Sequence, residues 1–118
     1  MTIDNINKKT AILINRDGMG VGDKELTNKL ITNYLSLILS EERKPAYICL
    51  YADGVKLAIK DSVCIEQLKE LESSGVIIMI CKTCINHYKI EDKIEIGTVG
   101  TMLDIIDIQH NCTKLITI

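Results

Sequence analysis

The chain has 118 residues, a net charge of −2 and 47% hydrophobic residues, which suffices for one domain that buries about two thirds of its unfolded surface. With four Tyr and no Phe or Trp, its core must be aliphatic. Lys and Arg are scattered among acids without forming a basic stripe, which excludes the usual footprint of a nucleic-acid partner. No run reaches the roughly 18 apolar residues of a membrane span, and the start, MTIDNINKKT, lacks the apolar core of a secretory signal. A cytoplasmic protein with no membrane partner is expected. In that reducing compartment, five cysteines point away from a disulfide framework, so each must be judged by its neighbours.

After a polar lead over residues 1–9, short apolar runs alternate with segments of helical period across 10–118. That alternation is the mark of βαβ units and a mostly parallel sheet. The first strand is read at Thr10 to Asn15. It runs into the loop Arg16-Asp17-Gly18-Met19-Gly20-Val21-Gly22-Asp23, with Asp23 as the N-cap of a helix on which Leu26, Leu30, Tyr34, Leu37 and Ile38 recur. Pro45 separates this helix from a central strand, Ala46 to Tyr51. Asp53-Gly54 then turns through Val55-Lys56-Leu57 into a helix from Ser62 to Ser73, with Cys64, Leu68 and Leu71 inward and Gly75 as its stop.

Val76 to Ile80 reads as the third strand, Lys82 to Lys89 as a short helix and Lys93 to Ile96 as a fourth strand. A helix from Val99 to Gln109 follows, with Val99, Met102, Leu103 and Ile106 facing inward, and Thr113 to Thr117 completes the sheet. The sum is one three-layer α/β/α domain on a five-stranded sheet.

In such a sheet reactive groups gather beyond the carboxyl ends of the strands. The sharpest motif there is Cys81-Lys82-Thr83-Cys84, at the junction of the third strand with its helix. The spacing predicts that Cys81 faces the free N–H groups of the first helical turn, which with the Lys82 cation favour the thiolate. Cys84 then stands close enough to attack whatever Cys81 carries. This suits sulfur relay through a persulfide, and it suits dithiol–disulfide exchange equally well. The blander reading is a pair of ordinary buried thiols at a strand end.

Cys81, Cys84 and His87 form a C-x-x-C-x-x-H run, but a structural zinc wants four ligands and no fourth is nearby. His110 has no sequence partner. The Gly18-x-Gly20-x-Gly22-Asp23 loop could rest a phosphate or a nucleotide on helix N–H groups, yet it lacks the G-x-G-x-x-G spacing and a P-loop Lys, so a packed turn with an Asp cap is favoured. Flavin would need ring cover where only Tyr51 and Tyr88 are on offer, and no cofactor is expected. Cys49 and Cys64 fall on core positions and should be inert, while Cys112 is left open.

Several stretches also carry a likeness to a known family: Ala11 to Asp23, Gly54-Val-Lys-Leu57, Gly75 through Cys84, Tyr88, and Gly97 with Met102. In these the chain resembles the DsrE-like sulfurtransferase superfamily, most closely the C-terminal domain of YedF-type selenium metabolism proteins. The resemblance implies an α/β/α fold with a flavodoxin-like layout, homo-oligomers (trimers or dimers of trimers) and a persulfide-carrying cysteine that maps onto Cys81, with Cys84 as the second thiol. It also implies sulfur donor and acceptor proteins, a TusA-like chain among the candidates, because no Cys-Pro-x-Pro motif precedes Thr10. The family pattern has Asn where Ala52 stands, a cysteine where Ile59 stands and Asn where Thr101 stands. Selenium is an association of the family, and sulfur is the substrate expected. The rival expectations are a non-enzymatic oligomeric module binding a small anion or nucleotide at the glycine loop, and a Cys81–Cys84 redox switch.

Overall fold

Short, near-continuous apolar runs rich in Ile and Leu build the central strands of a five-stranded sheet in a computed structural model that describes residues 10–118. The polar lead 1–9 lies outside the described residues. In chain order the elements are β1 (Thr10–Ile14), α1 (Lys24–Ser40), β2 (Tyr47–Leu50), a 3-10 segment (Ala52–Ala58), α2 (Ile65–Ser73), β3 (Ile77–Cys81), α3 (Lys82–Tyr88), a 3-10 turn (Glu91–Lys93), β4 (Thr98–Gly100), α4 (Met102–Asn111) and β5 (Lys114–Thr117). The strands lie in the order β4-β3-β2-β1-β5 and every pairing is parallel.

The chain therefore steps outward from β1 to β4 and then returns past β1 to place β5. Because parallel crossovers are right-handed, the first three connections cover one face of the sheet and α4 covers the other. Ile12, Ile14, Ile48, Leu50, Ile78 and Ile80 pack against Ile31, Leu35 and Ile38 of α1 and Leu68 and Leu71 of α2. Behind them, Ala11, Leu13 and Cys49 meet α4 through Ile108. Gly54 sits directly on the Ile14 carbonyl, where any Cβ would overlap backbone atoms, so the 3-10 segment can lie flat on the end of β1 only with glycine there.

The expected layers, strand count and N-cap stand: Asp23 accepts a hydrogen bond from the Leu26 N–H at 3.1 Å. Three readings are corrected. Lys93 to Ile96 is not a strand; it leaves a 3-10 turn and makes one antiparallel bridge, Ile94 to Ile59, and the strand comes later, at Thr98–Gly100. Val99 thus belongs to β4, and α4 buries Ile105 and Ile108, whereas Met102, Leu103 and Ile106 are exposed, Leu103 at 65%. On α1 the buried line is Thr27, Ile31, Leu35 and Ile38, and Leu26, Leu30 and Leu37 face outward. Both helices are apolar on two faces, and periodicity cannot tell which face the sheet takes.

Candidate functional site

The strand order singles out one position on the sheet's carboxyl edge. After β3 the chain turns into α3, whose Ile85 joins the α1/α2 layer; after the adjacent β4 it turns into α4 on the opposite face. Neighbouring strands whose connections part to opposite faces open a crevice between them, the usual ligand site of an open parallel sheet. Cys81 ends β3 there, paired with Gly100 of β4. A Cβ at position 100 would press on the Met79 side chain, which would have to shift, so glycine there lets Met79 pack tightly over β4 beside the cysteine.

Cys81 is 1% exposed, whereas Cys84, one helical turn on, is half-buried, and both are free thiols. The expected capping of Cys81 by the α3 amides is not found: Cys81 is the N-cap residue, but its side chain makes no cap hydrogen bond. The amide that reaches a sulfur comes from another element. The Ala52 N–H, at the start of the 3-10 segment, donates to Cys84 Sγ at 3.1 Å. Burial, followed by a hydrogen bond with the Cys81 side chain, pushes the Cys84 thiol above its ordinary range, and the Ala52 amide pulls it back down. Lys82 is exposed at the first position of α3.

The 3-10 segment is tied to α3 by a second group of side chains. Tyr88 donates its hydroxyl proton to Asp53, Lys56 Nζ lies 3.2 Å from Asp53 Oδ1 and 4.3 Å from the centre of the Tyr88 ring, and His87 packs edge-on to the same ring at 5.4 Å. The Tyr88 hydrogen bond, then Lys56, holds the Asp53 carboxyl below its usual range, and the same bond raises the Tyr88 phenol.

The DsrE/DsrF-like family matches residues 8–118. The chain belongs to the DsrE/DsrF-like family. No curated protein matches it. Among solved structures, the ychN protein from E. coli superposes with a TM-score of 0.70 at 19% identity, covering 94% of this chain and 99% of that one. MTH1491 of Methanobacterium thermoautotrophicum, titled a protein of unknown function, gives 0.69 at 16% identity with the same coverages. BT1422 of Bacteroides thetaiotaomicron, with a similar title, gives 0.64 at 17%, covering 93% and 95%. At these identities the likeness is one of fold.

In this DsrE-like chain the glycine loop is occupied with its own packing. Gly18 lies against Thr27, the Met19 N–H donates to the Thr27 carbonyl at 3.1 Å, and Asp23 spends its carboxylate on the α1 cap. Lys24 reaches back to the Asp17 carbonyl at 2.6 Å and its carboxylate at 3.1 Å. Gly20, Val21 and Gly22 are left at the solvent edge. The loop is thus the capped turn that the sequence favoured, and it does not reach the cysteines through any hydrogen bond among the described residues.

Cys49 and Cys64 are fully buried, as expected, and burial pushes both thiols upward, Cys49 to about 11. Among the described residues no group of three or more His, Cys, Asp or Glu side chains could hold a metal ion. No helix among them is long and apolar enough to cross a membrane. Ala52, Asp53 and Lys56 were not singled out from sequence as site residues. They reach Cys84 and Tyr88 across more than thirty positions of chain, a proximity that only the sheet order creates.

Proposed function

We propose that this DsrE-like chain is a sulfur-relay protein that carries persulfide sulfur on the Cys81–Cys84 pair between a donor and an acceptor protein. What supports this most is the pair itself: two free thiols at the crevice edge of the sheet, one sheltered and one more open, with a backbone N–H on the open one. In the loading step a cysteine thiolate attacks the outer sulfur of a donor persulfide. The donor's S–S bond breaks, the donor leaves as a thiolate, and the same sulfur is now bonded to this chain. Release is the same exchange toward an acceptor thiolate, with no net oxidation and no cofactor.

Cys81 is the persulfide holder that the resemblance implies, and its burial keeps the sulfane sulfur from solvent thiols. Cys81 takes the sulfur from the donor, Cys84 resolves or shares it afterwards, and Lys82 offers a cation to the incoming persulfide anion. Attack of Cys84 on the inner sulfur would instead expel hydrosulfide and leave a disulfide, which needs an external reductant. The branch is the YedF-like one, with a TusA-like chain as partner and sulfur, not selenium, as the cargo.

The assembly is a homo-oligomer, a trimer or a dimer of trimers. Support comes from apolar surface that one helix leaves bare on the α4 face, where Leu103, Met102 and Ile106 are exposed along with Ile77 and Leu115.

The test is intact-mass spectrometry of the reduced protein after incubation with a cysteine desulfurase and cysteine, beside Cys81→Ser and Cys84→Ser variants. One added sulfur, lost in Cys81→Ser, is expected. No sulfur on any form would sink the relay and leave a redox switch or a binding module.

A further inference from the structure

The amide that meets Cys84 comes from a residue in an unusual conformation. Ala52 has φ of 51°, in the left-handed region that alanine seldom adopts and that persists where the surroundings hold it. Its neighbours supply that hold. Asp53 accepts the hydroxyl proton of Tyr88, the last residue of α3, and Lys56 closes the group by pairing with Asp53 and lying over the Tyr88 ring. Within the segment, the Gly54 N–H returns to the Tyr51 carbonyl at 2.9 Å. Helix α3 thus carries Cys84 on its first turn and Tyr88 at its end, and the 3-10 segment touches it at both places.

We infer that Tyr88, Asp53 and Lys56 form a clamp that aims the Ala52 amide at Cys84 and thereby sets the nucleophilicity of that thiol. They are positioning residues, since none of them hydrogen-bonds the sulfur. Of the ionisable groups, Cys81 at the head of α3 hydrogen-bonds Cys84 and Tyr88 at its tail interacts with it electrostatically, while Asp53 and Lys56 of the 3-10 segment act through Tyr88. The clamp gives the relay its open, reactive thiol, and in that sense it rests on the sulfur-relay reading. Its chemical claim needs no sulfur donor.

Pulsed alkylation with iodoacetamide over a range of pH, read by mass spectrometry of the peptide bearing Cys84, measures the claim directly. Tyr88→Phe keeps the ring under Lys56 and removes the hydroxyl that holds Asp53. Its Cys84 should alkylate with a higher apparent pKa and about threefold more slowly near neutral pH, while the limiting rate at high pH rises, because a more basic thiolate is intrinsically more nucleophilic. Asp53→Ala should match it, and Asp53→Asn, which retains an acceptor oxygen, should stay closer to the parent. Circular dichroism and thermal unfolding confirm that each variant is folded; Tyr88→Phe alone decides if Asp53→Ala is not. A Cys84 profile unchanged in Tyr88→Phe, or a change in limiting rate with no shift in apparent pKa, would overturn the clamp. A failure to load sulfur with the clamp result intact would refute the relay alone.

Discussion

The two faces of the sheet are built to different standards. On one, isoleucines and leucines of β1, β2 and β3 meet α1, α2 and α3, and the interlocking side chains are buried. On the other, the strands offer Ala11, Leu13 and Cys49 to α4 alone, and Ile77, Leu115 and the outer side of α4 stay in contact with water. The closed face supplies the folding free energy, since burial of aliphatic area is the dominant favourable term. The thin face leaves apolar side chains in water, and it is the surface that the proposed homo-oligomer would cover.

The largest effect that would break this contrast is in the closed layer. Leu35→Ala removes a fully buried side chain between α1 and the sheet and should cost about 3 kcal/mol in urea unfolding. A cost near that of a surface change would mean the layer is not the main source of stability.

Cys49 tests how well the thin face excludes water. Burial, then the nearby Cys112, raises its thiol to about 11, whereas in the unfolded chain a thiol titrates near 8.5. Between those values the unfolded state binds fewer protons than the folded one. Stability from this group is therefore complete below about pH 8.5 and is lost as pH rises toward about 11. Unfolding measured across that window should fall less steeply for Cys49→Ala than for the parent. Identical slopes would mean that the α4 face does not shield Cys49.

The smallest effect on the fold sharpens the contrast most. Leu103→Ala, on the exposed side of α4, should change unfolding free energy by under about 0.5 kcal/mol. Leu103→Glu should lower the mass seen by sedimentation while leaving the helix content intact. A stability loss as large as that of Leu35→Ala would place Leu103 in a core of its own chain, contrary to its exposure.

The architecture was legible because each strand is a short β-branched run between turn signals, and because alternation of strands with helices admits few parallel topologies. The elements that went astray share one cause. In Met102-Leu103-Asp104-Ile105-Ile106 apolar residues point two ways around the helix, as they do from Leu26 to Ile38, and local periodicity has no means of choosing between faces that are equally apolar. The fourth strand starts five residues after the expected Lys93, because Ile94 and Ile96 look like strand residues although Ile96 is buried from irregular chain.

The sequence by itself determined the aliphatic parallel sheet, the family, the Asp23 cap and the meeting of two thiols at the head of α3, because all of these follow from residue type and spacing within a few turns of chain. Tertiary structure alone decided that Cys81 is closed and Cys84 open, that the N–H reaching Cys84 is Ala52's from another loop, and that Asp53 and Lys56 gather on Tyr88. The physical reason is that β2 and β3 are neighbours in the sheet. That adjacency brings the loops after both strands to one edge, and a left-handed alanine held by contacts more than thirty residues away leaves no mark on the residues beside it.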